Sequence, residues 1–221
     1  MEATKMVRIG LVGGMGPEST LDYYRQLTSK YQKRHPQSYP EIVIDSLDVY
    51  QILKLEEKGQ TETLIQKLLT SIKNLQASGA DVAALTANTP HMVFDELQTL
   101  SPIPLISIVD VTADAIKHNQ QSKVGLLGTK MTMKEPFYKN KLAENRIQVV
   151  VPSDEQINHI HAIISSELEL GVVKQSSNVY LLKTIAQLKD YDHIQGVILG
   201  CTELPLALSA SDVSISLYDM V

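Results

Sequence analysis

The sequence predicts an α/β protein built from two similar parallel-sheet domains related by a pseudo-twofold. Three observations predict it. Short, nearly continuous apolar runs alternate with longer amphipathic segments, as in parallel sheets covered by helices on both faces. The alternation restarts near residue 123. The restart also keeps a constant spacing: Gly10-Leu11-Val12-Gly13 matches Gly125-Leu126-Leu127-Gly128 at an offset of 115, and the same offset brings Val82 onto Val197, Thr86 onto Cys201 and Pro90 onto Pro205. Parallel strands all look alike, but one offset serving both ends of a block favours duplication. Two such halves are expected to hold an active site in the cleft between them, at the C-terminal ends of their strands.

The strands are predicted at VRIGLV (7–12), EIVIDSL (41–47), DVAALT (81–86) and PLISIV (104–109), then at KVGLLG (123–128), IQVVVP (147–152), GVILGC (196–201) and VSISLY (213–218). Each is an apolar run too short for a buried helix. Amphipathic stretches near 17–33, 60–78 and 90–100, and near 134–145, 154–170 and 175–190, read as helices. The first half is expected to span 1–112, with 209–221 as a candidate completion of it, and the second to span 113–208.

Composition narrows the function. The chain of 221 residues carries a formal net charge of −5, and no basic cluster is long enough to track a phosphate backbone, so nucleic acid is not an expected partner. The apolar start breaks at glycine, too early for a signal segment or a membrane span, so no membrane partner is expected. Cys201 is the one cysteine; no intrachain disulfide can form, and a cytoplasmic location is the simplest expectation. The six histidines show no metal-ligand spacing, and no metal is expected.

Three segments can carry chemistry. GGMGPEST (13–20) turns from a strand into a helix, with Met15 and Gly16 where a backbone approaches a ligand closely and Pro17 suited to a first helical turn. It is not a dinucleotide fingerprint: Ser19 stands at the third glycine position, and Glu18 would oppose a pyrophosphate. LGTKMT (127–132) is its counterpart, where Thr129 and Thr132 offer hydroxyls that suit a carboxylate or simply cap a helix. GVILGCTELPLAL (196–208) is the strongest. Its Cys201 sits at a strand end, after a glycine and before Thr202 and Glu203, where helix-start amides would favour thiolate.

The segments IGLVGGMGPEST, ANTPH, GLLGT and GVILGCTELPL, in this order and over nearly the whole chain, resemble the aspartate/glutamate racemase family. The resemblance implies no cofactor, neither pyridoxal phosphate nor metal, an amino acid or dicarboxylate as small-molecule ligand, and a homodimer. It implies two cysteines on opposite faces of the substrate's α-carbon, one removing a proton as thiolate and the other returning one as thiol. Asn88 and Thr89 would grip the carboxylate, with Thr129 and Thr202 in similar roles; Met15, Gly16, Thr132 and Glu203, taken from the three segments themselves, complete the expected binding set. Cys201 matches the second catalytic cysteine.

There are three departures from the family pattern. The first catalytic cysteine normally precedes the Asn-Thr pair, and here that place is Ala87. Thr86, set opposite Cys201 by the gapless repeat, is the alternative acid/base, although adjacent strand residues point to opposite faces. Second, the segment SELELG carries Glu169 where the family often has a lysine for an acidic substrate; the nearest lysine is Lys174. Third, the chain stops at Val221, soon after its last strand, which reads as a shortened C-terminus. Racemisation of aspartate or glutamate is the leading expectation. A one-cysteine proton-transfer enzyme of the arylmalonate decarboxylase type and a weakly active amino-acid-binding protein are the alternatives.

Overall fold

The computed structural model describes residues 6–220. The chain divides into two compact units, one ending at Ser107 and one formed by Ile108–Met220. In the first, strands β1 (Ile9–Gly13), β2 (Ile42–Ser46), β3 (Val82–Leu85) and β4 (Leu105–Ile106) form a parallel sheet in the order β2-β1-β3-β4. In the second, β5 (Lys123–Gly128), β6 (Gln148–Val150), β7 (Gly196–Gly200) and β8 (Ser216–Asp219) form a parallel sheet in the order β6-β5-β7-β8. The two orders are the same, as duplication predicts.

The helices are α1 (Pro17–Arg34), α2 (Val49–Glu57), α3 (Thr61–Ala77) and α4 (Phe94–Leu100) in the first unit, and α5 (Ile108–His118), α6 (Lys130–Lys134), α7 (Pro136–Glu144), α8 (Asp154–Ser166) and α9 (Gln175–Asp192) in the second. Their starts follow local chemistry. Pro17 opens α1, where its missing N–H costs nothing. Asp48 caps α2 by accepting from the Tyr50 amide at 2.9 Å. Ser153 and Gln156 form a reciprocal capping box at α8, which satisfies two amides that would otherwise be orphaned.

Each unit has its own core. Val12 and Leu85 of the first sheet pack with Leu68, Ile72 and Leu75 of α3. Val197 and Leu199 of the second pack with Ile160 and Ile164 of α8 and Leu181 and Ile185 of α9. Each such side chain contributes about 1.5–3 kcal/mol when fully buried, and the central strands are fixed most firmly.

Three sequence expectations are corrected. The boundary falls after Ser107, not after 112, because Ile108 opens α5, and Thr112 hydrogen-bonds to Ile108 inside that helix. The segment 209–221 completes the second unit rather than the first: β8 pairs with β7 along Gly196↔Ser216 to Leu199↔Asp219. Its last residue, Val221, lies outside the described residues. The run 104–109 is also only partly a strand, since two residues pair before the helix begins.

Candidate active site

In each unit the chain leaves the first strand to one side and returns to the other. The switch point therefore lies between β1 and β3, and again between β5 and β7. Loops at the C-terminal ends of such strands are where α/β sheets bind ligands. The three chemical segments and the ANTPH block lie there: Gly14–Gly16 after β1, Thr86–Thr89 after β3, and Thr129 and Cys201 after β5 and β7.

The first loop is built around glycine. Gly14 has φ +82°, and a Cβ there would lie 2.1 Å from the Leu47 carbonyl oxygen. Its amide donates to Thr20 Oγ1 at 2.9 Å, so that donor is already used within the protein. Met15 and Gly16 are half-buried beside it.

Thr86 is not a free acid/base group. It is 0% exposed. Its hydroxyl donates to the Val12 carbonyl at 3.2 Å and lies 3.0 Å from Thr20 Oγ1, while its own carbonyl accepts from Ser19 at 2.7 Å. These bonds tie β3 to the start of α1.

The sheet register explains the misplacement. Leu11 pairs with Ala84 and Val12 with Leu85, whereas Leu126 pairs with Ile198 and Leu127 with Leu199. With the glycine-flanked strands β1 and β5 matched, Leu85 corresponds to Leu199, Thr86 to Gly200 and Ala87 to Cys201. The gapless repeat is one residue out for this strand pair. The packing agrees: Thr86 touches Thr20, and a Cβ on Gly200 would meet Thr132 Cγ2 at 2.9 Å. Ala87 is thus the positional counterpart of Cys201. It is 9% exposed, and its carbonyl oxygen lies 3.0 Å from His91 Nδ1. His91 stacks flat on Phe94, with 5.1 Å between ring centres.

Asn88 is buried and Thr89 half-buried at the start of a 3-10 turn, Thr89–Val93. In the second unit, Thr129 caps α6 by accepting from the Thr132 amide at 3.3 Å. Thr132, expected to bind substrate, is 1% exposed; its side chain fills the space left by Gly128 and Gly200, and its hydroxyl lies 3.1 Å from Thr129 Oγ1.

Cys201 is 8% exposed. Its thiol donates to Glu203 Oε2 at 2.9 Å, and the Thr202 hydroxyl donates to the same oxygen at 3.0 Å. Glu203, expected among the substrate ligands, is hydrogen-bonded to the thiol. The expected thiolate is not the state that these surroundings favour. Burial first, then the charge of Glu203 and its hydrogen bond, push the thiol well above its ordinary value, with Glu169 adding to the rise. The Glu203 amide does favour thiolate. The helix start expected after Cys201 is only a three-residue 3-10 turn, Leu204–Leu206, and the carboxylates outweigh it.

Alkylation of Cys201 by iodoacetamide is accordingly expected to show a midpoint above the free-thiol value of roughly 8.5, and Glu203→Gln to bring it down. Labelling rates read by mass spectrometry across pH test this; a midpoint at or below the free value in the parent would contradict it.

A family profile for Asp/Glu/hydantoin racemase matches residues 12–221. The broad-specificity amino-acid racemase RacX of Bacillus subtilis is 26% identical over 219 residues, covering 96% of this chain and 92% of its own. An Asp/Glu racemase-type protein of Yersinia pestis has a crystal structure with TM-score 0.91 and 35% identity, over 97% of this chain and 94% of the other. That of an aspartate racemase homologue from Pyrococcus horikoshii gives TM-score 0.83 and 38% identity, over the same shares. The chain belongs to the Asp/Glu/hydantoin racemase family.

Proposed function

We propose that this protein is a cofactor-independent amino-acid racemase that moves the α-proton of its substrate, with Cys201 as the acid/base group of the second unit. The observation that carries this reading is the Cys201–Glu203 contact at a switch-point loop. A buried thiol kept protonated is a proton donor, and a carboxylate already hydrogen-bonded to it can receive that proton when sulfur must act as base. In this chain the position that corresponds to Cys201 in the first unit is Ala87, which cannot transfer a proton. The opposite step then falls to water or to a hydroxyl, which lowers the rate but not the stereochemical logic.

The similarity to a broad-specificity racemase supports an amino acid as substrate without fixing its side chain. Aspartate and glutamate, which the sequence resemblance implies, belong in the first set tested. The test is incubation of each enantiomer in deuterated water, with NMR and chiral chromatography as readouts. Inversion with deuterium gain at Cα supports racemisation. Exchange without inversion points to one-sided chemistry at Cys201. Binding without exchange would remove the catalytic reading.

A further inference from the structure

The turn that follows Cys201 is held at its far end by a side chain from another helix. The Leu204 amide donates to the Cys201 carbonyl at 3.1 Å, and the Leu206 amide donates to the Glu203 carbonyl at 3.1 Å. The turn Leu204–Leu206 therefore hangs from the two residues that make the thiol–carboxylate contact. Ala207 closes the turn, and the last carbonyls of a helical turn need partners from outside it. Asn178, in the first turn of α9, supplies one: its Nδ2 donates to the Ala207 carbonyl oxygen at 2.6 Å. Only the amide nitrogen of Asn178 can make this bond, because a carbonyl oxygen accepts and does not donate.

Asn178 is itself held in place. Its neighbour Ser177 is 5% exposed and donates to Glu167 Oε2 at 2.5 Å, while Lys174 donates to Glu167 Oε1 at 3.1 Å. Glu167 caps the end of α8, and the next residue, Leu168, packs in the same apolar cluster as Cys201, Leu204 and Ala207. The start of α9 is thus bonded on one side to the end of α8 and on the other to the turn after Cys201. The helix is already anchored in the core by Leu181, Ile185 and Leu188. The Asn178 bond is not needed to hold α9; what it locates is the turn.

We propose that Asn178 is a positioning residue for Cys201: by holding the Ala207 carbonyl it fixes the turn that sets the thiol against Glu203. The proposal rests on the racemase reading for its effect on turnover, whereas its effect on the thiol can be measured separately. One hydrogen bond of this kind shifts an equilibrium by about two- to tenfold. Without it the turn populates arrangements in which Glu203 leaves the sulfur, and the thiol loses the neighbouring charge that keeps it protonated.

The test compares Asn178→Leu and Asn178→Ala, which remove the donor, with Asn178→Gln, which keeps one. Asn178 is half-buried, so these variants should fold, and a thermal melt checks each. Labelling of Cys201 by iodoacetamide is read across pH, and deuterium exchange at Cα is read with a panel of the common amino acids. Both donor-free variants are expected to lower the labelling midpoint toward the free-thiol value of roughly 8.5. They should also lower kcat for exchange by about two- to tenfold, with KM changed by less than about twofold. Asn178→Gln should lie closer to the parent. In a Glu203→Gln background the loss of Asn178 should move the midpoint no further, since both changes act through one contact. A lower melting temperature with an unchanged midpoint, or a midpoint shift of the same size in the Glu203→Gln background, overturns the proposal. A midpoint shift in a protein that exchanges no amino acid leaves the positioning role standing and defeats the racemase reading. Exchange by the parent with no midpoint shift in the variants does the opposite. Neither exchange nor shift defeats both.

Discussion

Replacing Ala87 with cysteine is expected to raise the rate of racemisation at least tenfold, toward the roughly 10²–10⁴-fold that a positioned acid/base group contributes. The expectation comes from the register. Leu85 pairs with Val12 in the first sheet as Leu199 pairs with Leu127 in the second, so Ala87→Cys adds a sulfur at the position equivalent to the one that Cys201 fills in the second unit. The contact of His91 with the Ala87 carbonyl is a backbone contact and survives the change. Cys201→Ala should abolish turnover in both backgrounds. Thr86→Val should leave the rate close to the parent's and lower stability by about 1–3 kcal/mol, because Thr20 loses a buried partner. Chiral chromatography on both enantiomers, with a thermal melt on each variant, separates these outcomes. If Thr86→Val folds normally and loses all activity, the threonine is the acid/base residue and the register assignment is wrong. If Ala87→Cys folds, binds substrate and gains nothing, the site does not work by two-sided proton transfer.

The fold was largely legible in the sequence because the central strands are buried on both faces. Runs such as Gly196–Gly200 are apolar throughout, short and bounded by glycine, which favours a buried strand. Legibility fails where apolar runs serve two structures. Leu105 and Ile106 are paired in β4, whereas Ile108 and Val109 begin a helix, and short apolar runs do not distinguish strand from helix by periodicity. The helix Val49–Glu57 has its signals in Asp48 as cap and in Val49, Ile52 and Leu55 as its apolar side, but at nine residues it is too short for a strong period. At the site, sequence located the loops but not the state of the thiol. That state depends on where the Glu203 carboxylate points, and a side chain two residues away can turn toward the sulfur or toward solvent. The one-residue error at Thr86 has a similar origin. A gapless alignment counts residues along the chain, whereas the ladder counts rungs across the sheet, and a one-residue slip on a strand exchanges its two faces.

Removing the charge of Glu56 is expected to stabilise the protein above neutral pH and to leave it unchanged in acid. Glu56 lies near the end of α2, one turn after the buried Ile52, and is itself 9% exposed. Its Oε1 is buried with no hydrogen-bond partner among the described residues. Burial raises its carboxyl from 4.5 to about 7, since removal from water penalises the ionised form. Proton uptake sets the sign. Below the unfolded value of 4.5 both states are protonated and no penalty exists. Between 4.5 and about 7 the folded protein keeps a proton that the unfolded chain releases, so stability falls as pH rises. Above about 7 the loss is complete, on the order of 3 kcal/mol for a shift of this size. Glu56→Gln keeps the shape and cannot ionise. At about pH 8 it should therefore raise the melting temperature by up to about 6–12 °C, at roughly 2–4 °C per kcal/mol for a chain of this length, less whatever the buried amide costs. Near pH 4.5 the two proteins should melt together. Melting curves of both proteins across this range decide the matter. A difference that does not change with pH would mean that the Glu56 carboxylate is solvated or paired in solution, and a lower melting temperature for Glu56→Gln in the alkaline range would mean that its charge is held by a partner.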